Sequence, residues 1–350
     1  MKRDRRSVRW VDVIKADSQA LFRKKLDGAE SIVLSTHLNP DGDAIGSEVS
    51  LARFLLSVGK RVRIVNDDPP PPVLQYLLDG SIEIELFDEQ RTPEALDQAD
   101  LVILVDNSVP DRLGRMEGPL LAVADRVLCI DHHPSRDAPW VDNIVDVEAS
   151  ATTAMIYELV RSQGWTPDRQ AAEALFVGLA TDTGFFRFKS TNAQSYEIAA
   201  HLVRLGVEPA RTYRTVYERN SEAFTRLLGH ALVELKMEAG GTVASVRVPR
   251  TLIKSLAAED EDTSEITTAL LAMDGVQVAL LFRELADGRV KVSLRSKGEL
   301  DVHQLASEFG GGGHRNASGI VLTQSMEQAV AVVTERARSL LAASSRDSVG

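Results

Sequence analysis

Two stretches of this chain, residues 101–106 (LVILVD) and 126–131 (RVLCID), are near-continuous apolar runs, each ending in a carboxylate. Runs of this kind fit strands buried on both faces, which implies a parallel sheet covered by helices on either side. Residues 31–35 (SIVLS) and 61–65 (RVRIV) read as two more strands of the same sheet. Residues 44–58 read as a helix with Ile45, Val49, Ala52 and Leu56 on one face, ended by Gly59. Further helices are expected over 149–163, 168–181 and 192–205, and the four prolines at 69–72 mark a surface turn.

From about Glu208 the pattern changes. A helical stretch to Leu228 is followed by two hairpin-like pairs. One joins 231–237 to 242–248 around Gly240-Gly241, and the other joins 276–285 to 289–295 around Asp287-Gly288. Helices over 251–258 and 264–273 lie between the pairs, and a last helix over 326–343 precedes a Ser-rich tail. A chain of 350 residues has room for two domains of ordinary size. The expected layout is an N-terminal extension over 1–29, a parallel-sheet α/β domain over 30–207, a helical linker over 208–228, and a smaller α/β domain with a mixed sheet over 229–345.

Composition narrows the partners. Lys and Arg number 40 against 51 Asp and Glu, a net charge of −11. Bulk affinity for long nucleic acid comes from many Lys/Arg–phosphate contacts, so this chain is a poor candidate for gripping long duplexes. A small anion whose charge is met locally, for example by metal ions, remains open. The single cysteine, Cys129, excludes an intrachain disulfide and a multi-Cys zinc site, and its apolar surroundings predict an inert buried thiol. No apolar run approaches the ~18 residues needed to span a bilayer. The N-terminus lacks a signal-peptide core, so a cytoplasmic protein is expected. Its basic residues Lys2, Arg3, Arg5, Arg6 and Arg9 read as a solvated tail.

In a parallel α/β sheet, ligands bind at the carboxyl ends of strands. Four segments bring acids and histidines to or near such places: His37-Leu-Asn-Pro-Asp-Gly-Asp43, Asp106, Asp131-His132-His133 and, following the expected helix before it, Thr181-Asp182-Thr183-Gly184. Any one alone reads equally well as a turn or helix cap. Together they predict a cluster at four successive strand-to-helix positions of one sheet. Carboxylate and imidazole ligands without thiolate suit Mn²⁺, Mg²⁺ or Fe²⁺ better than a structural zinc. Two such cations roughly 3.5–4 Å apart could share a carboxylate and clamp a phosphate. In the second domain, four glycines at 310–313 precede His314 and Arg315. A bare glycine run is ordinarily a surface loop. The basic pair, and Arg295 at the end of a strand, shift this one toward an anion site in which Gly312 and Gly313 let the backbone approach the ligand.

These segments resemble the DHH phosphoesterase superfamily, in the branch that carries a DHHA1 C-terminal domain, over roughly residues 30–325. The name-giving motif stands as Asp131-His132-His133, and the DHHA1 signature matches the stretch from Gly310 to Gly319. Length and layout look most like the stand-alone oligoribonuclease and pAp phosphatase branch. The resemblance implies that His37, Asp41 and Asp106 hold one metal. Asp43, Asp106, His132 and Asp182 would hold a second, with Asp106 bridging and Mn²⁺ the leading candidate for both. It implies that His133 contacts the scissile phosphate and helps protonate the leaving oxygen, while Asp131 orients a histidine. Asn39 would touch the substrate, and Arg295, Gly312, Gly313, His314 and Arg315 would bind its far phosphate or base. It also allows a homodimer.

The leading expectation is therefore a two-metal phosphohydrolase. It would cut short oligoribonucleotides to mononucleotides and remove the 3′-phosphate of adenosine 3′,5′-bisphosphate (pAp). A cyclic-di-AMP or pApA phosphodiesterase is the enzymatic alternative. A non-catalytic nucleotide sensor is the alternative from another class, disfavoured because no ligand of the set is missing. A pyrophosphatase is disfavoured by the glycine-rich signature.

Overall fold

The computed structural model describes residues 14–134, 138–259, 261, 263–298 and 300–347. The basic cluster between Lys2 and Arg9 lies outside them. The chain divides into two compact units, residues 1–218 and 219–350. Among the described residues, no helix is long and apolar enough to cross a membrane.

The first unit is built on six parallel strands: β1 (Ser31–Ser35), β2 (Arg61–Asn66), β3 (Ile84–Leu86), β4 (Leu101–Val105), β5 (Val127–Asp131) and β6 (Asp142–Val145). Their order is β3-β2-β1-β4-β5-β6. The chain thus winds outward from β1 in one direction, then returns to lay β4 against the other side of β1. The crevice where the winding reverses opens at the carboxyl ends of β1 and β4, the usual ligand position in such sheets. Helices α1 (Ala16–Asp27), α2 (Gly42–Ser57), α3 (Arg91–Asp97), α4 (Glu117–Ala122), α5 (Thr152–Ser162), α6 (Arg169–Asp182), α7 (Ala193–Arg204) and α8 (Pro209–Tyr217) complete the unit.

Strand alternation supplies both faces. Ile32, Leu34, Ile103, Val105, Leu128 and Ile130 enter one core with residues of α2, α5 and α6. Val33, Val102, Leu104, Val127 and Cys129 point the other way, into a core with Leu113, Met116 and Leu120. This double burial is why β4 and β5 read as unbroken apolar runs, and why the Cys129 thiol is buried with its pKa pushed well up. The short edge strands β3 and β6 carry mixed, partly exposed residues and left no such signal. Part of the expected N-terminal extension is α1, which buries Phe22 and Leu26 in the first core.

The second unit comprises α9 (Glu222–Val233), β7 (Lys236–Glu238), β8 (Val243–Val248), α10 (Arg250–Ser255), α11 (Ser264–Leu271), β9 (Val278–Glu284), β10 (Val290–Ser296), α12 (Val302–Glu308), β11 (Gly312–His314), β12 (Ala317–Leu322) and α13 (Met326–Asp347). Its sheet runs β11-β12-β10-β9-β8-β7, and it is mixed because β8 and β9 pair in parallel while the other neighbours are antiparallel. The hairpin around Asp287-Gly288 is present as β9 and β10. The other hairpin is shorter than expected. Residues 231–233, read as strand, continue α9, whose Phe224, Leu227 and Ala231 fall on one buried helical face, so only Lys236–Glu238 pairs with β8. The stretch 208–228 is two helices, α8 in the first unit and α9 in the core of the second.

Candidate metal centre

Immediately beyond β1, the Thr36 hydroxyl donates to the Val105 carbonyl at 2.8 Å and ties the ends of β1 and β4 together. His37 follows on a loop pinned from both sides. Leu38 N donates to Arg112 O at 2.8 Å, and Asn39 N donates to Asp68 Oδ2 at 2.8 Å. His37 Nδ1 donates to its neighbour's carbonyl, Leu38 O, at 2.7 Å. That bond fixes the tautomer and leaves Nε2 as a lone pair. Nε2 is buried, has no hydrogen-bond partner, and lies 3.5 Å from Asp106 Oδ2. Burial, with Arg112 nearby, holds the His37 pKa below its ordinary value, so the ring is the neutral form a metal requires.

His132 repeats the arrangement. Its Nδ1 donates to Ala149 O at 3.2 Å, and its Nε2 is buried without a hydrogen-bond partner. That atom stands 3.4 Å from Asp182 Oδ2, 3.7 Å from Asp106 Oδ1 and 3.9 Å from Asp43 Oδ2. Two buried imidazole lone pairs facing carboxylates repel one another's electron density, and a divalent cation between them reverses the sign. The residues therefore fit a hard or borderline divalent metal.

The carboxylates are held as firmly. Asp41 caps α2, its Oδ1 accepting from Asp43 N at 2.9 Å and Ala44 N at 3.1 Å. Asp43 is buried and receives the N-terminus of α5. Thr152 N donates to Oδ2 at 2.6 Å, and Thr153 donates to Oδ1 through N at 2.9 Å and through its hydroxyl at 2.6 Å. Thr152 Oγ1 donates to Asp106 Oδ1 at 2.8 Å. Asp106 sits at φ 58°, a left-handed conformation that costs a non-glycine residue about 1–3 kcal/mol.

Asp43, Asp106 and Asp182 all have raised pKa values, chiefly from burial, with repulsion from Asp43 and Asp41 adding to it at Asp106 and at Asp182, the latter to about 8. Asp43 keeps its neighbours Thr153 and His132 as partial compensation. Asp131, buried at the end of β5, behaves differently. Burial pushes its pKa up, but bonds from His133 and Ser108 outweigh that and hold it low. His133 donates to Asp131 Oδ1 through Nδ1 at 2.8 Å and through its backbone N at 3.0 Å, and its side chain remains 37% exposed.

Ligand atoms of His37, Asp41 and Asp106 lie within 4.8 Å of one another, as do those of Asp43, His132 and Asp182, and those of Asp106, His132 and His133. The six residues expected to hold metal thus converge, with Asp106 between the groups. One expectation needs correction. Asp182 does not come from a strand end. It is the last residue of α6, delivered by close packing of α6 on α2. A Cβ at Gly46 would lie 2.4 Å from Ala174 O, and one at Gly178 would lie 2.3 Å from the Thr153 side chain. Only glycine at these points lets the helices approach closely enough to bring Asp182 beside His132. Thr152 and Thr153 were missed by sequence reasoning, because their partners Asp106 and Asp43 lie far away in the chain.

Asn39 is exposed at the rim, at φ 51°. The remaining expected residues lie in the second unit. Gly312 and Gly313 are not loop but edge strand β11, paired with Gly319 and Ser318. The backbone there comes too close for a side chain, since a Cβ at Gly313 would lie 2.5 Å from Ala317 O. Ala317 pairs with His314 on one side and Arg295 on the other, so those two positions flank one point of the sheet. Arg315 is exposed in the turn between β11 and β12. Asn316, also missed, locks that turn by donating to Ser296 Oγ, Gly298 O and Leu300 O at 2.9–3.1 Å.

Comparison with known proteins accords with this geometry. The DHH family, N-terminal domain, matches residues 31–179, and the DHHA1 domain matches residues 240–342. The chain is 31% identical to the bifunctional oligoribonuclease and PAP phosphatase NrnA of Thermus thermophilus, over 89% of this chain and 90% of that one. It is 29% identical to the NrnA of Bacillus subtilis, over 83% and 88%. Among solved structures it resembles an exopolyphosphatase-related protein of Bacteroides fragilis, with a TM-score of 0.87 and 30% identity over 94% of this chain and 98% of that one. On the order of its motifs, its topology and these likenesses, the chain belongs to the DHH family, in the branch that carries a DHHA1 domain.

Proposed function

We propose that this chain is a two-metal phosphohydrolase that degrades short oligoribonucleotides to mononucleotides and removes the 3′-phosphate of pAp. The observation that carries the reading is the convergence of His37, Asp41, Asp43, Asp106, His132 and Asp182, with two imidazole lone pairs buried among carboxylates. The relatives named as oligoribonuclease and PAP phosphatase give the substrate class. His37, Asp41 and Asp106 would hold one cation. Asp43, Asp106, His132 and Asp182 would hold the other, with Mn²⁺ the first choice. When bound, the cations would neutralise the phosphate and activate water at neutral pH.

The chain's own residues do the rest. Thr152 and Thr153 fix the carboxylates of Asp106 and Asp43 so that the ligands need not reorganise. Asp131 accepts the Nδ1–H of His133, so in the imidazolium form of that ring Nε2 carries the proton given to the leaving oxygen. Asn39 is the proposed substrate contact at the rim. Arg295, Gly312, Gly313, His314 and Arg315 are the proposed substrate contacts of the second unit.

The test is one substrate panel with Mn²⁺: dinucleotides, a longer RNA, pAp, cyclic diadenylate and pyrophosphate. Dinucleotides and pAp should be consumed and the longer RNA left largely intact. Dinucleotides and pAp both surviving would overturn the reading. Cyclic diadenylate turned over fastest would replace it with the cyclic-dinucleotide alternative.

A further inference from the structure

Directly after Asp182 the chain makes a turn that the candidate metal centre does not use. Phe185 and Phe186 occupy consecutive left-handed conformations, at φ 56° and 66°. Two adjacent aromatic residues in this region are strained, and such strain persists only where the surroundings enforce it. Here Phe176 packs against both rings at about 6 Å, and Phe186 N donates to Thr183 Oγ1 at 3.1 Å. The turn closes with Phe188 N donating to Thr183 O at 2.9 Å.

The turn and the two helices that follow it leave the rings of Phe188, Tyr196 and Tyr213 exposed. Phe188 lies over Gly184, close enough that a Cβ there would fall 2.5 Å from its ring, only two residues from Asp182. Its side is nevertheless 54% exposed. Tyr196 of α7 stacks on Phe186, with centroids 5.3 Å apart at 24°, and is 56% exposed. Tyr213 of α8 meets Phe185 edge-on at 5.0 Å and is 41% exposed. Arg187 and Lys189 are exposed in the same turn, the Arg187 guanidinium 5.9 Å from the Phe188 centroid. Arg187 Nε donates to Gly184 O at 2.8 Å, which anchors it there.

Rigid rings with an open face, interleaved with cations, are how proteins hold single-stranded nucleic acid without reading its sequence. The setting adds charge complementarity, because these cations stand out on a chain of net charge −11. It also adds continuity, because Phe188 stands on the turn that directly follows Asp182. We infer that Phe188 forms a stacking ledge for a nucleobase of the substrate, beside the phosphate to be cleaved, with the Tyr196–Phe186 stack as a second aromatic platform of the same turn. This rests on the function proposed above and adds to it a sequence-tolerant base contact contributed by the first unit. Stacking onto Phe188 would favour any base and would not discriminate between them.

The experiment compares a diadenylate with its abasic analogue, which keeps both sugars and the phosphodiester. The readout is the ratio of their kcat/KM values. Phe188→Ala and Tyr196→Ala should each lower that ratio about tenfold, mainly through KM for the base-bearing substrate, while Phe188→Trp should hold or raise it. A ratio that stays near wild type in both alanine variants overturns the ledge. So does an equal loss on both substrates, which would mean that Phe188 acts only by supporting Gly184 and Asp182. Should the wild type hydrolyse neither pAp nor dinucleotides, the proposed function fails on its own account. The ledge is then tested by fluorescence of a 2-aminopurine dinucleotide. Quenching on wild type that is lost on Phe188→Ala sustains the stacking contact, and no quenching on wild type overturns it.

Discussion

The two units present their candidate ligand-handling residues in opposite ways. In the first, side chains do the work. His37, Asp43, Asp106 and Asp131 are buried, and each is oriented by hydrogen bonds before any ligand arrives. In the second, the backbone shapes the site, with Gly312 and Gly313 in an edge strand and Arg315 exposed beside them. A prebuilt cage of like charges carries a standing electrostatic cost that a cation removes. A glycine-rich edge carries no such cost and offers backbone N–H groups. Metal should therefore change the stability of the first unit strongly, whereas substrate contacts in the second should act on affinity.

The sharpest way to break this contrast is Asp106→Ala. Removing a residue that merely orients a ligand lowers activity or metal affinity 10–100-fold, so loss of the residue between both metal groups should lower activity on the order of 10³-fold or more. Circular dichroism should show the fold retained. Near-normal turnover would mean that the cage is not the reaction centre.

Next in size is the response to metal and pH. Saturating Mn²⁺ at about 100 times its dissociation constant should add about 2.7 kcal/mol of stability for each cation bound. Hydrogen exchange should localise the gain to the crevice at β1 and β4 and leave β10–β12 unchanged. Without metal, the sign follows from the raised pKa values of Asp43, Asp106 and Asp182. The folded state keeps protons that the unfolded state releases above its ordinary carboxylate pKa of about 4, so stability falls as pH rises from there. The fall should continue to about 8, where Asp182 ionises in the folded chain. Thermal melts of the metal-free protein between these limits should show it, and Asp182→Asn should flatten the upper part of the slope.

Thr153→Val removes the hydroxyl that donates to Asp43 at 2.6 Å while keeping its shape. Metal affinity or activity should drop 10–100-fold, and Thr153→Ser should restore most of it. The smallest effect is expected in the second unit. Arg315→Ala should raise KM about fivefold, the upper value of one exposed ion-pair contact, with kcat and the metal-dependent melting shift retained. A fall in kcat larger than the rise in KM would erase the distinction between the two units.

The residues missed are as instructive as those found. Strand β1 was legible at Ser31–Ser35, and β4 and β5 within one residue at an end, because double burial writes itself as an apolar run. Chemistry-bearing acids and histidines were legible because they interrupt that apolar background. Thr152, Thr153 and Asn316 were not, since threonine and asparagine are ordinary in caps and turns and their partners are far away in sequence. Asp43 and Thr153 are 110 residues apart. The end of α9 was misread as strand because a short apolar stretch cannot be assigned by period alone, and the buried face shared with Phe224 decided it.

The sequence alone determined the α/β class and the four acid and histidine segments, because these depend on residue type and local period, while the expected ligand set came from the family resemblance those segments carry. Only the tertiary structure decided that the winding reverses between β1 and β4, that the end of α6 comes to lie beside His132, and that the ring of Phe188 is left exposed. Those outcomes depend on how closely helices and strands approach one another in space, a property of packed pairs that no local stretch of the chain encodes.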